Sequence, residues 1–288
     1  MQVHTVGEGT PEVAVVGAIH GDEPCGARAI ERFLASDPEI DRPAKLIVAN
    51  ERALEQGVRY VETDLNRALP GDPDSDLYEE RLAYELMQAV QDCVALGIHS
   101  TVSYQHAFAN VAYLNERKRE IAAHLPVTGI VDFTVVADGR SVELPGFVDI
   151  EAGYQGSAEA VDNAYDCLRA FLQTTGVLPG DPPSRDPGFY EVTEPIYKEP
   201  GRTYRFLGEN FERVDAGEPF ATVDGDHLTA DEAFWPVLMS SDGHDVLLGY
   251  RSTYHGPFST LSAPGVDADT DATGVDAADD SVPEDTDD

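Results

Sequence analysis

The stretch Val15-Val16-Gly17-Ala18-Ile19-His20-Gly21-Asp22-Glu23-Pro24-Cys25-Gly26 (VVGAIHGDEPCG) carries the chain from an apolar run into a helical pattern. The β-branched, continuous apolar run from Glu12 to Ile19 reads as a strand buried on both faces, as in a parallel sheet. Pro24 suits the first turn of a helix, and Ala27, Ile30, Phe33 and Leu34 recur at helical spacing through Ser36. His20 and Glu23 fall in the junction between the two. Two readings stand side by side: a polar turn that caps the helix, or part of a metal site.

Outward from this junction the pattern repeats. Ala44–Asn50 (AKLIVAN) reads as a second strand, and Tyr78–Val90 as an amphipathic helix with Asp74 and Ser75 as cap candidates. Cys93–Ser100 (CVALGIHS) is a third strand, again ending in a His. GIVDFTVVA (129–137) and GFVDIEA (146–152) read as two more strands, and Ser157 caps a helix running to Thr174. Strands alternating with helices predict an α/β domain over residues 1–180, with a mostly parallel or mixed sheet flanked by helices. The Pro- and Gly-rich GDPPSRDPG (180–188) reads as a linker. Short β segments such as FYEVTEPIYK, TYRFLG and PFATVDG then predict a small β-rich domain over 185–262. Residues 263–288, with no aromatic residue and no base, read as a disordered, solvated acidic tail.

Composition narrows the partners. Fifty-four acidic residues against 19 basic ones leave a formal net charge of -35, and lysine occurs only at positions 45, 118 and 198. Such a field repels nucleic acid and anionic membrane surfaces, so neither is an expected partner. It suits a protein that stays soluble in concentrated salt, where charges are screened within roughly 3 Å at 1 M. Cys25, Cys93 and Cys167 form no CxxC pair, which argues against a disulfide framework. With no basic leader ahead of an apolar stretch and no long apolar run, the expected setting is the cytoplasm.

Polar residues at the carboxyl ends of parallel strands matter because open α/β sheets bind ligands there. His20 and Glu23 follow the first strand, and His99 ends the CVALGIHS strand. Imidazole and carboxylate are good zinc ligands, and three protein ligands leave a fourth position for water. Alone, His20-x-x-Glu23 is a common surface turn, and a lone His99 is compatible with a satisfied structural histidine. Arg59–Arg67 (RYVETDLNR) adds Arg59, Asp64, Asn66 and Arg67 in one short segment of a base-poor chain. Arginine suits bidentate carboxylate recognition, although a loop relieving the acidic surface would look the same. Glu151, closing the GFVDIEA strand, is either an ordinary strand-end residue or a general base.

Together, GAIHGDEPCG, RYVETDLNR, GIHST and DIEAGYQGS resemble, in order, the motifs of the succinylglutamate desuccinylase/aspartoacylase family of zinc carboxypeptidase-like hydrolases. The resemblance covers about the first 175 residues, and the β-rich region beyond Arg185 is similar to the family's C-terminal domain. It implies one zinc ion (Zn2+) per chain, held by His20, Glu23 and His99. It implies that Arg59 polarises the scissile carbonyl, that Asn66 and Arg67 grip the carboxylate of a small acylamino acid, and that Glu151 activates the attacking water. A short-peptide carboxypeptidase shares the zinc arrangement and is a second reading. Two departures stand out. Family members carry an Asp two residues before the second zinc His, where this chain has Gly97, which leaves a non-catalytic binding protein of the same fold as a third reading. A further substrate-binding Arg falls near Arg140 with its spacing to Glu151 offset by one, so Arg140 is either a substrate contact or an exposed turn residue. A homo-oligomer is compatible with all of this.

Overall fold

In the computed structural model, which describes residues 1–137 and 140–261, the chain opens on an edge strand, β1 (Gln2–Val6). The Glu12–Ile19 run forms β2 (Val13–Gly17), followed by α1 (Cys25–Ala35), β3 (Ala44–Val48), α2 (Glu51–Gln56) and α3 (Tyr78–Val90). The CVALGIHS stretch is β4 (Val94–Thr101), and β5 (Phe108–Val111), α4 (Glu116–His124), β6 (Gly129–Asp132), β7 (Phe147–Tyr154) and α5 (Ala158–Thr174) follow. After the linker come β8 (Gly188–Tyr197), β9 (Tyr204–Phe206), β10 (Pro219–Val223), β11 (Asp226–Thr229), β12 (Trp235–Val237) and β13 (Leu247–Pro257).

Among the described residues, ten strands form one mixed sheet in the order β1-β3-β2-β4-β7-β5-β6-β8-β13-β12. The β3-β2-β4-β7 block is parallel, and β5 turns antiparallel to β7. Every residue of β2 is buried, and its side chains alternate between two cores. Val13 and Val15 pack with Ile30 and Phe33 of α1 and Leu168 and Phe171 of α5; Ala14 and Val16 pack with Leu82 and Leu86 of α3. Each such large side chain, fully buried, contributes about 1.5–3 kcal/mol. The chain leaves β2 for β3 on one side and returns to β4 on the other, so the β2/β4 junction is a topological switch point, where α/β sheets open a crevice.

Several elements differ from the sequence reading. The strand expected over 129–137 stops at Asp132, because its carboxylate accepts the Thr134 N–H at 2.8 Å and turns the chain. The first N–H of α3 is taken by Glu62 rather than by Asp74 or Ser75; Ser157 caps α5 as expected, accepting from Ala160 N at 3.0 Å. The linker separates no sheets: β8 pairs parallel with β6, and β13 and β12 extend the same sheet. Among the described residues, only β9, β10 and β11 form a separate three-stranded sheet, over a small core of Val214, Phe220, Phe234, Met239 and Leu248. The expected acidic tail lies outside the described residues.

Candidate metal centre

The site is built on close backbone contact. A Cβ on Gly17 would sit 2.6 Å from the Gly26 carbonyl carbon, and one on Gly26 2.8 Å from Gly17 Cα, so two glycines let α1 rest directly on the end of β2. That contact fixes the 18–24 turn, which includes Ala18 at φ 53°, and buries His20 and Glu23. His99 comes from β4, the strand beside β2. Glu23 lies between the two imidazoles: Oε1 is 2.9 Å from His20 Nδ1 and Oε2 is 3.0 Å from His99 Nδ1. The ring centroids are 5.1 Å apart, and one ligand atom from each of the three residues lies within 4.8 Å of the others. Two imidazoles and a carboxylate converging at this distance, all buried, fit a zinc-type ion.

The charges of these groups are interlocked. Burial works against a charged His99, but the Glu23 hydrogen bond and the charges of Glu23, Asp149 and Glu151 outweigh it and raise its pKa to about 9. Glu23 is held well below the usual carboxylate range, the two histidines overcoming its burial. Glu151 is pushed the other way, first by burial and then by the charge of Glu23. It is the cross-strand partner of His99 on β7, and its Oε2 is buried without a hydrogen-bond partner in the protein.

The arginine loop closes one side. Arg59 reaches Glu23 Oε1 at 3.3 Å, Asp64 Oδ2 at 3.2 Å through Nε, and lies 3.0 Å from His20 Nε2. Asp64 braces the loop by accepting from the N–H groups of Asn66 and Arg67, and its Oδ1 also lies 3.2 Å from His20 Nε2. Asn66 Oδ1 accepts from Ser141 N at 2.9 Å, which draws Arg140 to the same side of the site. Arg59, Arg67 and Arg140 all act on His244, whose pKa is lowered by burial and then by these three charges. Cys25 packs in the start of α1, where burial pushes its thiol up to about 12, a helix-core residue rather than a ligand.

Three contributors were not singled out from the sequence. Glu79, buried on α3, accepts from the N–H groups of Val61, Glu62 and Thr63 and from Asn50, anchoring the arginine loop. Its signal was its helical spacing to Leu82, Ala83 and Leu86 on the buried face. Asp149 shares a face of β7 with Glu151, two residues away, a period-two relation visible in FVDIE. His244 had no local signal, since it comes from the loop before β13.

Fold and site thus define a mixed α/β protein with a two-histidine, one-carboxylate cluster that could hold a metal ion at the carboxyl edge of its sheet. Residues 9–126 match the model of the succinylglutamate desuccinylase/aspartoacylase catalytic domain, a span that contains His20, Glu23, Arg59, Asn66, Arg67 and His99. The chain is 35% identical over 86 residues to an N-acyl-aromatic-L-amino acid amidohydrolase (carboxylate-forming) of Xenopus tropicalis, covering 27% of this chain and 28% of that protein. It is 36% identical over 80 residues to aspartoacylase of Danio rerio, covering 27% of this chain and 25% of the relative. The matched segments therefore span about a quarter of those relatives' lengths. In three dimensions the chain is similar to a product-bound ectoine utilization protein of Ruegeria pomeroyi, with a TM-score of 0.72, 19% identity and 88% of each chain covered. The family resemblance thus rests on residues 9–126, and the fold is similar to that of a succinylglutamate desuccinylase/aspartoacylase from Rhodobacter sphaeroides.

Proposed function

We propose that the protein is a zinc-dependent amidohydrolase that removes the acyl group from an N-acylated amino acid or similar small molecule. The observation that carries this reading is the meeting of the His20/Glu23/His99 cluster with the half-buried Glu151, the cross-strand partner of His99. His20, Glu23 and His99 would hold a zinc ion, which would supply Lewis-acid chemistry when bound. Arg67 and Asn66 bind the carboxylate of the substrate, with Arg140 beside them. Arg59 stabilises the negative charge that develops on the carbonyl oxygen. Glu151 takes a proton from the water whose oxygen bonds to the carbonyl carbon. As the C–N bond breaks it returns that proton to the leaving nitrogen, giving a carboxylate and an amine. Burial, which raises the Glu151 pKa, suits a group that must both accept and release a proton near neutrality.

The test is a hydrolysis screen of N-acetyl, N-succinyl and N-acyl-aspartate compounds in high salt, with and without a chelator. Chelator-sensitive release of free amine from one of these classes is expected. A folded protein carrying zinc that hydrolyses none of them would defeat the reading.

A further inference from the structure

We infer that Asp149, from the neighbouring strand β7, is the positioning carboxylate for His99, replacing a side chain that position 97 of β4 does not supply. The inference rests on the zinc reading of the site. Gly97 and Asp149 are cross-strand partners. A Cβ built on Gly97 would lie 1.9 Å from Asp149 Oδ1 and 3.1 Å from its Cγ, with Phe147 Cε1 at 2.9 Å. The Asp149 carboxylate therefore fills the space a side chain at position 97 would occupy, and the glycine is what admits it.

The carboxylate also faces the correct ring atom. His99 turns Nδ1 toward Glu23 and the metal cluster, leaving Nε2 on the far side, 3.8 Å from Asp149 Oδ1. Both Nε2 and Oδ1 are buried and have no hydrogen-bond partner in the protein. At 3.8 Å the pair is about 1 Å too long for a hydrogen bond, a gap that a small rotation of either side chain closes. Its other oxygen, Oδ2, accepts from Ser141 Oγ at 2.6 Å, which fixes the side chain from behind. Metal-bound imidazoles commonly donate their second N–H to a carboxylate that sets tautomer and orientation. Asp64 already stands in that relation to His20, 3.2 Å from its Nε2. The Ser141 backbone N–H binds Asn66, so the support of His99 is continuous with the loop proposed to bind substrate.

The experiment measures zinc affinity of metal-stripped protein by competition with a chromogenic chelator, with melting curves to establish folding. Wild type is compared with Asp149→Asn, Asp149→Ala, Gly97→Asp and the double variant Gly97→Asp/Asp149→Ala. Asp149→Ala should weaken zinc binding by about 10–100-fold, with the isosteric Asp149→Asn between it and wild type. Gly97→Asp alone should be destabilised by crowding and by two facing carboxylates. The double variant, which moves the carboxylate from one strand to the other, should recover affinity above that of Asp149→Ala. Folded Asp149→Ala and Asp149→Asn proteins with wild-type affinity, or a folded double variant no better than Asp149→Ala, would overturn the role of Asp149 while leaving the metal site standing. Absence of zinc binding by wild type would overturn the site itself, and this inference with it.

Discussion

At the scale of single residues, burial raises the pKa of both Glu23 and Glu151, and their charged neighbours decide opposite outcomes. Glu23 has two imidazoles against it and stays ionised, whereas Glu151 faces the charge of Glu23 and is driven toward its neutral form. Glu151→Gln should therefore keep zinc affinity while turnover falls by at least about a hundredfold, measured on the best substrate. Arg67→Ala should raise KM about tenfold or more with little change in kcat, if its contact is as strong in the ground state as in the transition state. Steady-state kinetics with unchanged KM and kcat would remove Arg67 from the site. Lys118, fully buried on α4, is a different case: its Nζ donates to the carbonyls of Ala112 and Val142. Burial pulls its pKa down to about 8, partly offset by Asp149, Asp132 and Glu143. Between that value and its ordinary 10.5 the unfolded chain binds more protons than the folded one, so raising pH favours folding. The cost of the buried charge, on the order of 3 kcal/mol, is present below pH 8 and relieved as pH climbs toward 10.5. Relative to Lys118→Met, the wild type should gain stability over this window in urea melts; parallel pH profiles would show that Lys118 carries no such penalty.

At the scale of elements, the arginine loop over 59–67 owes its shape to a residue outside it. The Glu79 carboxylate takes three consecutive loop N–H groups, so a rigid helix holds a segment with no secondary structure of its own. Glu79→Gln should destabilise the protein by about 2 kcal/mol and raise KM, because it loosens the base of the loop that presents Arg59, Asn66 and Arg67. Wild-type urea stability together with wild-type KM would show that the loop holds itself. Elements with strong periodicity were legible in advance: β2, α1, β3, α3, β4, β7 and α5 all fall on stretches read from apolar spacing. β1 was not, because it is an exposed edge strand paired only with β3. α4 was hidden because ERKREIAAH looks polar all round, and only the fold reveals that Lys118 is buried there. β5, at four residues, is too short for a period to register.

At the scale of the whole molecule, the net charge of -35 sets the solution behaviour. The described residues include no helix long and apolar enough to cross a membrane. With 54 acids against 19 bases, most carboxylates have no basic side chain to pair with, and their mutual repulsion opposes the compact state unless salt screens it. The melting temperature should therefore fall as KCl is lowered from molar to millimolar; an unchanged value would sink the salt-adapted reading. The order of motifs, their residue types and the strand–helix alternation were enough, from the sequence by itself, to define the α/β class and to name His20, Glu23, Arg59, Asn66, Arg67, His99 and Glu151. The fold class depends on local periodicity, which a linear chain displays, whereas the roles of those residues came from the resemblance of their motifs, taken in order, to the succinylglutamate desuccinylase/aspartoacylase family. Tertiary structure alone decided that the sheet runs on through β8, β13 and β12, that His244 overlooks the arginines, and that VVGAIHGDEPCG meets β4 at a switch point. It alone also placed Asp149 in the space left by Gly97. These are relations between strands distant in sequence, created by hydrogen-bond register and by which side chain fills a given space, and no spacing along the chain encodes them.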